Sequence, residues 1–485
     1  MWDNFNMKHK STAASRRTKI VATIGPATAS SETLAELISA GMNVARFNLS
    51  HGNLEEHTEQ IKRVRAESKR LGTPVAVMID LPGPKYRTGA LAQPSVQLIK
   101  GDTIVLTARS VIGDEKEVSV NLPTLAKDVR VNDLVLLDDG AMQLKCVEVT
   151  ETDTVCTILV GGKLTAGRGI AIPGRKSSIP FMSDLLKGYI NFAISQRPDF
   201  VALSFVSRPL DVIQVRQILK KRGADILLIA KIERGAAVDV FDAILAEVDG
   251  VMVARGDLGV DIPLERLPLV QKEIIHKANR AGKPVITATQ MLESMINAAR
   301  PTRAEVSDVA NAILDGSDAV MLSAETSIGK YPVQAVTMMS AVAMETEKTL
   351  PYDLWIAERD SWLTDQTEEL ISYNACLTAR RLKAAAIVAF TSSGSTAGRV
   401  AKYRPSAPIL AISPNGDICR RLILNWGVQA SQIPTPKTVD DLFATAVKVC
   451  KKLKLAKAGD NIIVTGGAPL GVAGTTNLLK VQEVT

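Results

Sequence analysis

The chain alternates short, apolar, β-rich runs with longer stretches in which apolar side chains recur at helical spacing. The runs at 18–25, 43–50, 75–81, 200–206, 226–233, 250–257, 284–290 and 319–326 read as buried strands. Amphipathic stretches between them, such as 31–40, 54–71, 209–222, 267–281 and 302–315, read as helices. Most strand starts are one strand, one helix and two loops apart. Eight such units close naturally into a (β/α)8 TIM barrel, an α/β fold whose active sites sit at the C-terminal ends of the strands.

One interval breaks the rhythm. The gap from Leu81 to Phe200 is far too long for a loop and a helix. The segment 183–196 supplies a helix before the fourth strand, which leaves 86–180 as an inserted domain. Its apolar runs (96–99, 103–108, 117–120, 134–137, 142–150 and 155–160) are separated by turns such as Lys100-Gly101-Asp102 and Asp138-Asp139-Gly140. This predicts a small β-barrel set above the barrel mouth as a lid. After residue 352 a second βα pattern begins: a helix at 368–382, strands at 386–390, 409–412 and 461–465, and a helix at 395–403. It predicts an open, mostly parallel α/β sheet. The expected organisation is an N-terminal arm (1–17), a barrel in two parts (18–85 and 181–352), the lid (86–180) and a C-terminal regulatory or oligomerisation domain (353–485).

The strand ends carry the chemistry. Side chains alternate along a strand, so Lys231 and Glu233 share one face, as do Arg255 and Asp257. Two carboxylates with room for substrate oxygens suit Mg²⁺, and a lysine and an arginine beside it suit a phosphorylated anion. Arg46, Asn48 and Ser50 share a parity at the end of the second strand. Asp80 ends the third, Thr287 and Thr289 lie on the seventh, and Ser323 and Glu325 on the eighth. In a barrel all of these are expected at one mouth, with Arg46 and Arg87 free to grip phosphate oxygens.

Composition narrows the function. Net charge is +7, but the basic residues form no stripe beyond the N-terminal Lys8, Lys10, Arg16, Arg17 and Lys19, so small anions are better partners than DNA. Aromatic residues are only 4%, too few for base-stacking platforms. No apolar run is long enough to span a membrane, and no apolar leader opens the chain, so a cytoplasmic protein is expected. The five dispersed cysteines suggest reduced thiols rather than disulfides or a zinc site.

The motifs Arg46-Phe47-Asn48-Leu49-Ser50-His51-Gly52, Asp80-Leu81-Pro82-Gly83-Pro84-Lys85-Tyr86-Arg87-Thr88-Gly89, Lys231-Ile232-Glu233, the run Met252 to Gly259, Ala288-Thr289-Gln290-Met291-Leu292-Glu293-Ser294-Met295 and Met321-Leu322-Ser323-Ala324-Glu325-Thr326 occur in that order. Together they resemble the pyruvate kinase family, from Thr18 nearly to the C-terminus. The resemblance implies transfer of the phosphoryl group of phosphoenolpyruvate to ADP, giving pyruvate and ATP, by a cytoplasmic homotetramer. It implies Mg²⁺, with Mn²⁺ able to substitute, on Glu233 and Asp257. Lys231, Arg46 and Thr289 would be catalytic. Arg46, Gly256, Asp257, Thr289, Ser323 and Glu325 would bind substrate, and Arg87 and Arg168 the nucleotide. The family has a lysine where Arg168 stands. An effector loop is implied at Thr391, Ser392, Ser393, Gly394, Ser395 and Thr396, taking a sugar phosphate or nucleoside monophosphate, with Gly466 to Gly471 as its cover.

One departure stands out. K⁺-requiring members of the family usually read Asp-Thr-Lys-Gly-Pro-Glu where this chain reads Asp80-Leu81-Pro82-Gly83-Pro84-Lys85. Asn48, Ser50 and Asp80 of the monovalent-cation pocket remain, but Leu81 removes an oxygen and Lys85 replaces an anion with an ammonium. K⁺-independent activity is therefore expected. The rival readings are a Mg²⁺-dependent enolate lyase or aldolase on a related barrel, and a basic nucleic-acid-binding protein.

Overall fold

The structure is a computed structural model that describes residues 16–175, 177–470 and 474–485. Eight parallel strands form a closed barrel: β1 (Lys19–Thr23), β2 (Val44–Asn48), β3 (Ala76–Leu81), β4 (Phe200–Leu203), β5 (Leu227–Ile232), β6 (Gly250–Ala254), β7 (Val285–Ala288) and β8 (Ala319–Leu322). Each strand pairs with its neighbours in sequence, and β8 closes on β1 with Lys19 opposite Ala319. The helices between them have local start signals. Leu54–Leu71 begins with an Asn53/Glu56 capping box and ends at Gly72, whose φ of 62° is the left-handed conformation that a missing Cβ permits. Inside the barrel, Val21, Val44, Met78, Ile229, Met252, Ile286 and Met321 form a packed core. Leu424, from the C-terminal domain, joins that core, so the two domains share apolar packing.

Every barrel strand is shorter than its predicted run, and after the sixth and the eighth the remainder is helical. The sixth stops at Ala254, and Arg255–Asp261 is helical. The cause lies in its neighbour: β6 pairs with β7 as far as Ala254 opposite Ala288, and then Thr289 and Gln290 turn away with φ of 68° and 56°. With no ladder partner beyond Ala254, the chain closes its own hydrogen bonds as a helix. The eighth likewise ends at Leu322, followed by the helix Ala324–Ser327.

The inserted segment forms a seven-stranded sheet in the order Tyr86–Arg87, Gly169–Ala171, Leu134–Leu137, Met142–Val149, Asp153–Val160, Thr103–Thr107, Glu117–Ser119. A bridge between Thr88 and Val120 joins its two ends, supported by Gly89 N–H donating to Ser119 O at 2.7 Å, so the sheet curls into a small barrel with its own core. The C-terminal sheet runs Val428–Gln432, Ile409–Ser413, Ala386–Phe390, Asn461–Gly466, Leu478–Glu483, parallel except for the last strand.

Several sequence expectations change here. Residues 1–15 of the predicted arm lie outside the described residues, but Arg16 and Arg17 belong to the folded body. Arg16 is buried and donates to Gly41 O (2.5 Å), Asn43 Oδ1 (2.6 Å) and Ser340 Oγ (2.6 Å). Arg17 stacks over Tyr352 and Trp426. Lys19 is buried too, donating to Val428 O at 2.7 Å across the domain boundary. The five cysteines are free and buried, and Cys146 and Cys156 face each other on adjacent lid strands. Among the described residues no helix is long and apolar enough to cross a membrane.

Candidate active site

The C-terminal ends of β2, β3, β4 and β5 converge on one charged cluster. Arg46 donates from Nε to Asp80 Oδ2 at 2.8 Å and from Nη1 to Thr23 Oγ1 at 2.8 Å. Lys231 Nζ lies 2.9 Å from Glu233 Oε1 and 3.3 Å from Asp80 Oδ1, and donates to Ser204 Oγ at 2.7 Å. Glu233 Oε2 accepts from Phe205 N–H at 2.6 Å, and Phe205 holds the strained φ of 59° that aims this amide. The side chains of Asp80 and Glu233 are each only 1% exposed, so the ion pairs are desolvated and their geometry is fixed.

Electrostatics divide the two carboxylates. Burial works to raise the Asp80 carboxyl, but Lys231 and Arg46 outweigh it and hold the group below its ordinary value. Burial also raises Glu233, Lys231 opposes this, and Asp257 adds to it, so Glu233 is held above its ordinary value. Burial would lower Lys231, yet Asp80 and Glu233 keep it raised and charged. Burial, more than any neighbouring charge, thus sets the Glu233 carboxyl.

Asp257 reaches the mouth from the first turn of the helix Arg255–Asp261 rather than from a strand. Its Oδ1 is 2.6 Å from Lys85 Nζ. An ammonium therefore stands against each carboxylate, Lys231 against Glu233 and Lys85 against Asp257. That arrangement fits a dication held by Glu233 and Asp257, with substrate and water completing the shell. Among the described residues no three His, Cys, Asp or Glu side chains converge, so the protein offers part of a coordination shell and not a cage.

Other predicted members have different surroundings. Arg255 turns away from the mouth and binds Asp308 (2.7 Å) and Thr289 O (2.8 Å), so it anchors the loop after β7 instead of facing an anion. Thr287 is fully buried and shares a hydrogen bond with Ser317 Oγ at 2.7 Å, below the mouth. Thr289 Oγ1 accepts from Gly256 N–H at 2.8 Å, so the amide expected to receive a substrate carboxylate already has a partner. Glu325 is 2% exposed and accepts from the N–H groups of Leu292 (3.1 Å) and Ser323 (2.7 Å), which makes it a backbone brace. Asn48 Oδ1 accepts from Ser50 N–H at 3.2 Å, and Leu81 is buried. Lys85 contacts Asp257 at 2.6 Å and Asp139 at 3.3 Å. Ser204 and Phe205 were missed. The signal for Ser204 was a hydroxyl directly after the apolar Phe200-Val201-Ala202-Leu203; nothing local announced the role of the Phe205 amide.

Comparison with known proteins agrees with this architecture. The family described as "Pyruvate kinase, barrel domain" matches residues 15–336, and "Pyruvate kinase, alpha/beta domain" matches 369–482. The chain is 45% identical to a pyruvate kinase of Geobacillus stearothermophilus over 97% of its length and 80% of that protein. It is 41% identical to a pyruvate kinase of Clostridium acetobutylicum over 97% of its length and 100% of that protein. This chain belongs to the pyruvate kinase family. A crystal structure of a pyruvate kinase from Cryptosporidium parvum superposes with a TM-score of 0.92 at 36% identity, covering 98% of this chain and 97% of that one. The chain is accordingly a phosphotransferase, with the TIM barrel, lid and C-terminal sheet of the family.

Two further sets of expected site residues lie outside the barrel mouth. Arg87 ends a short lid strand paired with Gly169, Arg168 directly precedes that partner strand, and both arginines are exposed. Arg87 Nη1 donates to Gly167 O at 3.0 Å and Arg168 Nη1 to Asp138 Oδ1 at 3.1 Å. In the C-terminal domain a cleft of about 580 Å³ is lined by Ser392, Ser393, Ser395, Thr435, Gly467 and Leu470 among others. Thr391 and Thr396 are buried in support of this loop: Thr391 Oγ1 accepts from Gly394 N–H at 2.8 Å, and Thr396 Oγ1 bonds Thr476 Oγ1 at 2.8 Å. Gly394 has a φ of 93°, which favours glycine there. Gly471 of the predicted cover lies outside the described residues.

Proposed function

We propose that this chain transfers the phosphoryl group of phosphoenolpyruvate to ADP, giving pyruvate and ATP. The observation that carries the proposal is the closed charge cluster of Arg46, Asp80, Lys231 and Glu233 beside Asp257. Glu233 and Asp257 would hold Mg²⁺, or Mn²⁺, which supplies charge neutralisation to the oxygens of the substrate. Lys231, fixed by Asp80, Glu233 and Ser204, presents its ammonium to charge that develops on the phosphoryl group and on the departing enolate oxygen. Arg46 is oriented by Asp80 and Thr23 and contacts the phosphoryl oxygens. A terminal oxygen of ADP attacks phosphorus, the bond to the enol oxygen breaks, and the methylene carbon takes a proton in the pocket beside Thr289. Arg87 and Arg168 bring the lid's positive charge to the nucleotide phosphates. The substrate carboxylate would be received at Gly256, Asp257 and Ser323, displacing Thr289 Oγ1 from the Gly256 amide.

Activity is K⁺-independent on this reading. Leu81 offers no side-chain oxygen to a monovalent ion, Asp80 already has Arg46 and Lys231, and Lys85 brings its own charge to the site. A sugar phosphate or nucleoside monophosphate occupies the cleft at Ser392, Ser393 and Ser395. On family grounds alone, the protein is a cytoplasmic homotetramer.

An assay coupled to pyruvate, run with phosphoenolpyruvate, ADP and Mg²⁺, tests the reading. Pyruvate released at the same rate without ADP returns the site to the lyase alternative. Asp257→Asn or Glu233→Gln should nearly abolish turnover with the fold intact. Rates in K⁺ and in a bulky organic cation at equal ionic strength should agree; activation of about tenfold or more by K⁺, worth about 1.4 kcal/mol, refutes K⁺ independence.

A further inference from the structure

Lys85 sits where the barrel hands the chain to the lid. Gly83 is pressed so closely on Ser204 that a Cβ there would meet its carbonyl oxygen at 2.5 Å, and Pro84 O accepts from Arg234 at 3.2 Å. The lid begins one residue after Lys85, at Tyr86. The Lys85 side chain then turns back and touches three parts of the molecule. Its ammonium lies 2.6 Å from Asp257 Oδ1 on the barrel, 3.3 Å from Asp139 Oδ1 on a lid turn, and 5.7 Å from the centre of the Phe205 ring. The lid strand closes over it at Gly169, where a Cβ would fall 2.6 Å from Lys85 Cε and 3.0 Å from Nζ. A lid residue without a side chain is thus what allows this contact. The Lys85 side chain is 17% exposed and that of Asp139 70%, so the contact with Asp257 dominates and the one with Asp139 is a weak surface pair.

We infer that Lys85 is a built-in counter-cation that occupies the divalent-metal position at Asp257 and latches the lid to the barrel until a metal ion displaces it. The inference rests on the assignment of Asp257 as a metal ligand. The ammonium at 2.6 Å and a dication would compete for the same carboxylate. Mutual exclusion couples two events. Metal binding weakens the lid's attachment, and the attached lid weakens metal binding by the same factor. The freed ammonium then becomes available to substrate phosphates, where it supplies the charge that a monovalent ion would otherwise bring.

The test uses the full chain, Mn²⁺ alone and no substrate. Mn²⁺ affinity is read from the electron paramagnetic resonance of free ion, and lid attachment from hydrogen exchange of peptides covering 83–89 and 164–171. In the wild type, Mn²⁺ should speed exchange in both peptides. Lys85→Met should bind Mn²⁺ about tenfold tighter, a coupling of ordinary size, and should exchange fast with or without metal. Gly169→Ala keeps the lysine charge but fills the space its stem occupies, and should reproduce both effects. If Lys85→Met alone tightens Mn²⁺ while Gly169→Ala and lid exchange are unchanged, simple charge removal explains the result and the latch is overturned. Mn²⁺ binding that survives Asp257→Asn overturns the metal assignment and the latch with it. Mn²⁺ binding lost in Asp257→Asn, without metal-dependent exchange in the wild type, overturns the latch alone.

Discussion

Replacing Lys231 by Met separates two roles that one ammonium plays. The Lys231 side chain is 11% exposed, and its partners Asp80 and Glu233 are 1% exposed each. Removing one partner of a buried ion pair costs about 3–5 kcal/mol, because the remaining charge is stranded. Asp80 keeps Arg46 at 2.7 Å, so the loss falls on Glu233, which retains only the Phe205 amide. Glu233 can relieve the strain by protonating, since burial already holds its carboxyl above the ordinary value, so a cost near the lower limit, about 3 kcal/mol, is expected. Catalysis should fall independently. Loss of one donor aimed at developing charge typically lowers kcat by about 10²–10³. The double variant Lys231→Met/Glu233→Gln removes both charges and should regain stability to within about 1 kcal/mol of the wild type, while kcat stays at the floor. Urea midpoints give the stabilities, and the pyruvate-coupled assay at saturating Mg²⁺ gives kcat. A Lys231→Met enzyme with wild-type kcat refutes the catalytic role. A single variant as stable as the wild type, or a double variant less stable than the single, refutes the reasoning about the stranded carboxylate.

Other outcomes follow from the same contacts. Arg404→Met removes a buried guanidinium that binds Asp318 (2.7 and 2.8 Å), Asn279 (3.0 Å) and Gly316 O (2.8 Å), and should cost about 3–5 kcal/mol in urea and uncouple the C-terminal domain from the barrel. Burial, then Arg16, lowers Lys19 to about 7 against the opposing pull of Glu347 and Asp318, so the native state binds fewer protons than the unfolded chain between about pH 7 and the ordinary lysine value. Stability should therefore rise with pH across that window by up to about 1.4 kcal/mol per unit from this group, and Lys19→Met should flatten the rise in urea midpoints between pH 7.5 and 9. Arg168→Met should raise the KM for ADP severalfold and leave the KM for phosphoenolpyruvate nearly unchanged; equal effects on both would place Arg168 away from the nucleotide.

The strand pattern was legible because a buried parallel strand must be apolar, and its polar end must then have a purpose. Arg46, Asp80, Lys231 and Glu233 were found this way, from parity and position alone, and they meet within hydrogen-bonding distance. Parity misled where the strand ended early. Asp257 reaches the mouth on a helix and Arg255 points to Asp308, because β7 withdrew its ladder at Thr289, a fact about the neighbouring strand. Glu325 looked functional since a carboxylate at a strand end usually is, but only the fold shows the two amides it braces. Residue type announced that Lys85 was unusual; its partner did not, because Asp257 is 172 positions away and Asp139 lies on the lid. Arg16 and Lys19 read as a basic tail, and only the docking of the C-terminal domain and the packing around Ser340 make them interior. Local sequence determined which segments are strands and which of their ends are charged, since hydrogen bonding and burial act residue by residue. Which charges neutralise one another was decided by tertiary structure, since Coulomb interactions and desolvation depend on distances that only the closed barrel, its lid and the docked third domain establish.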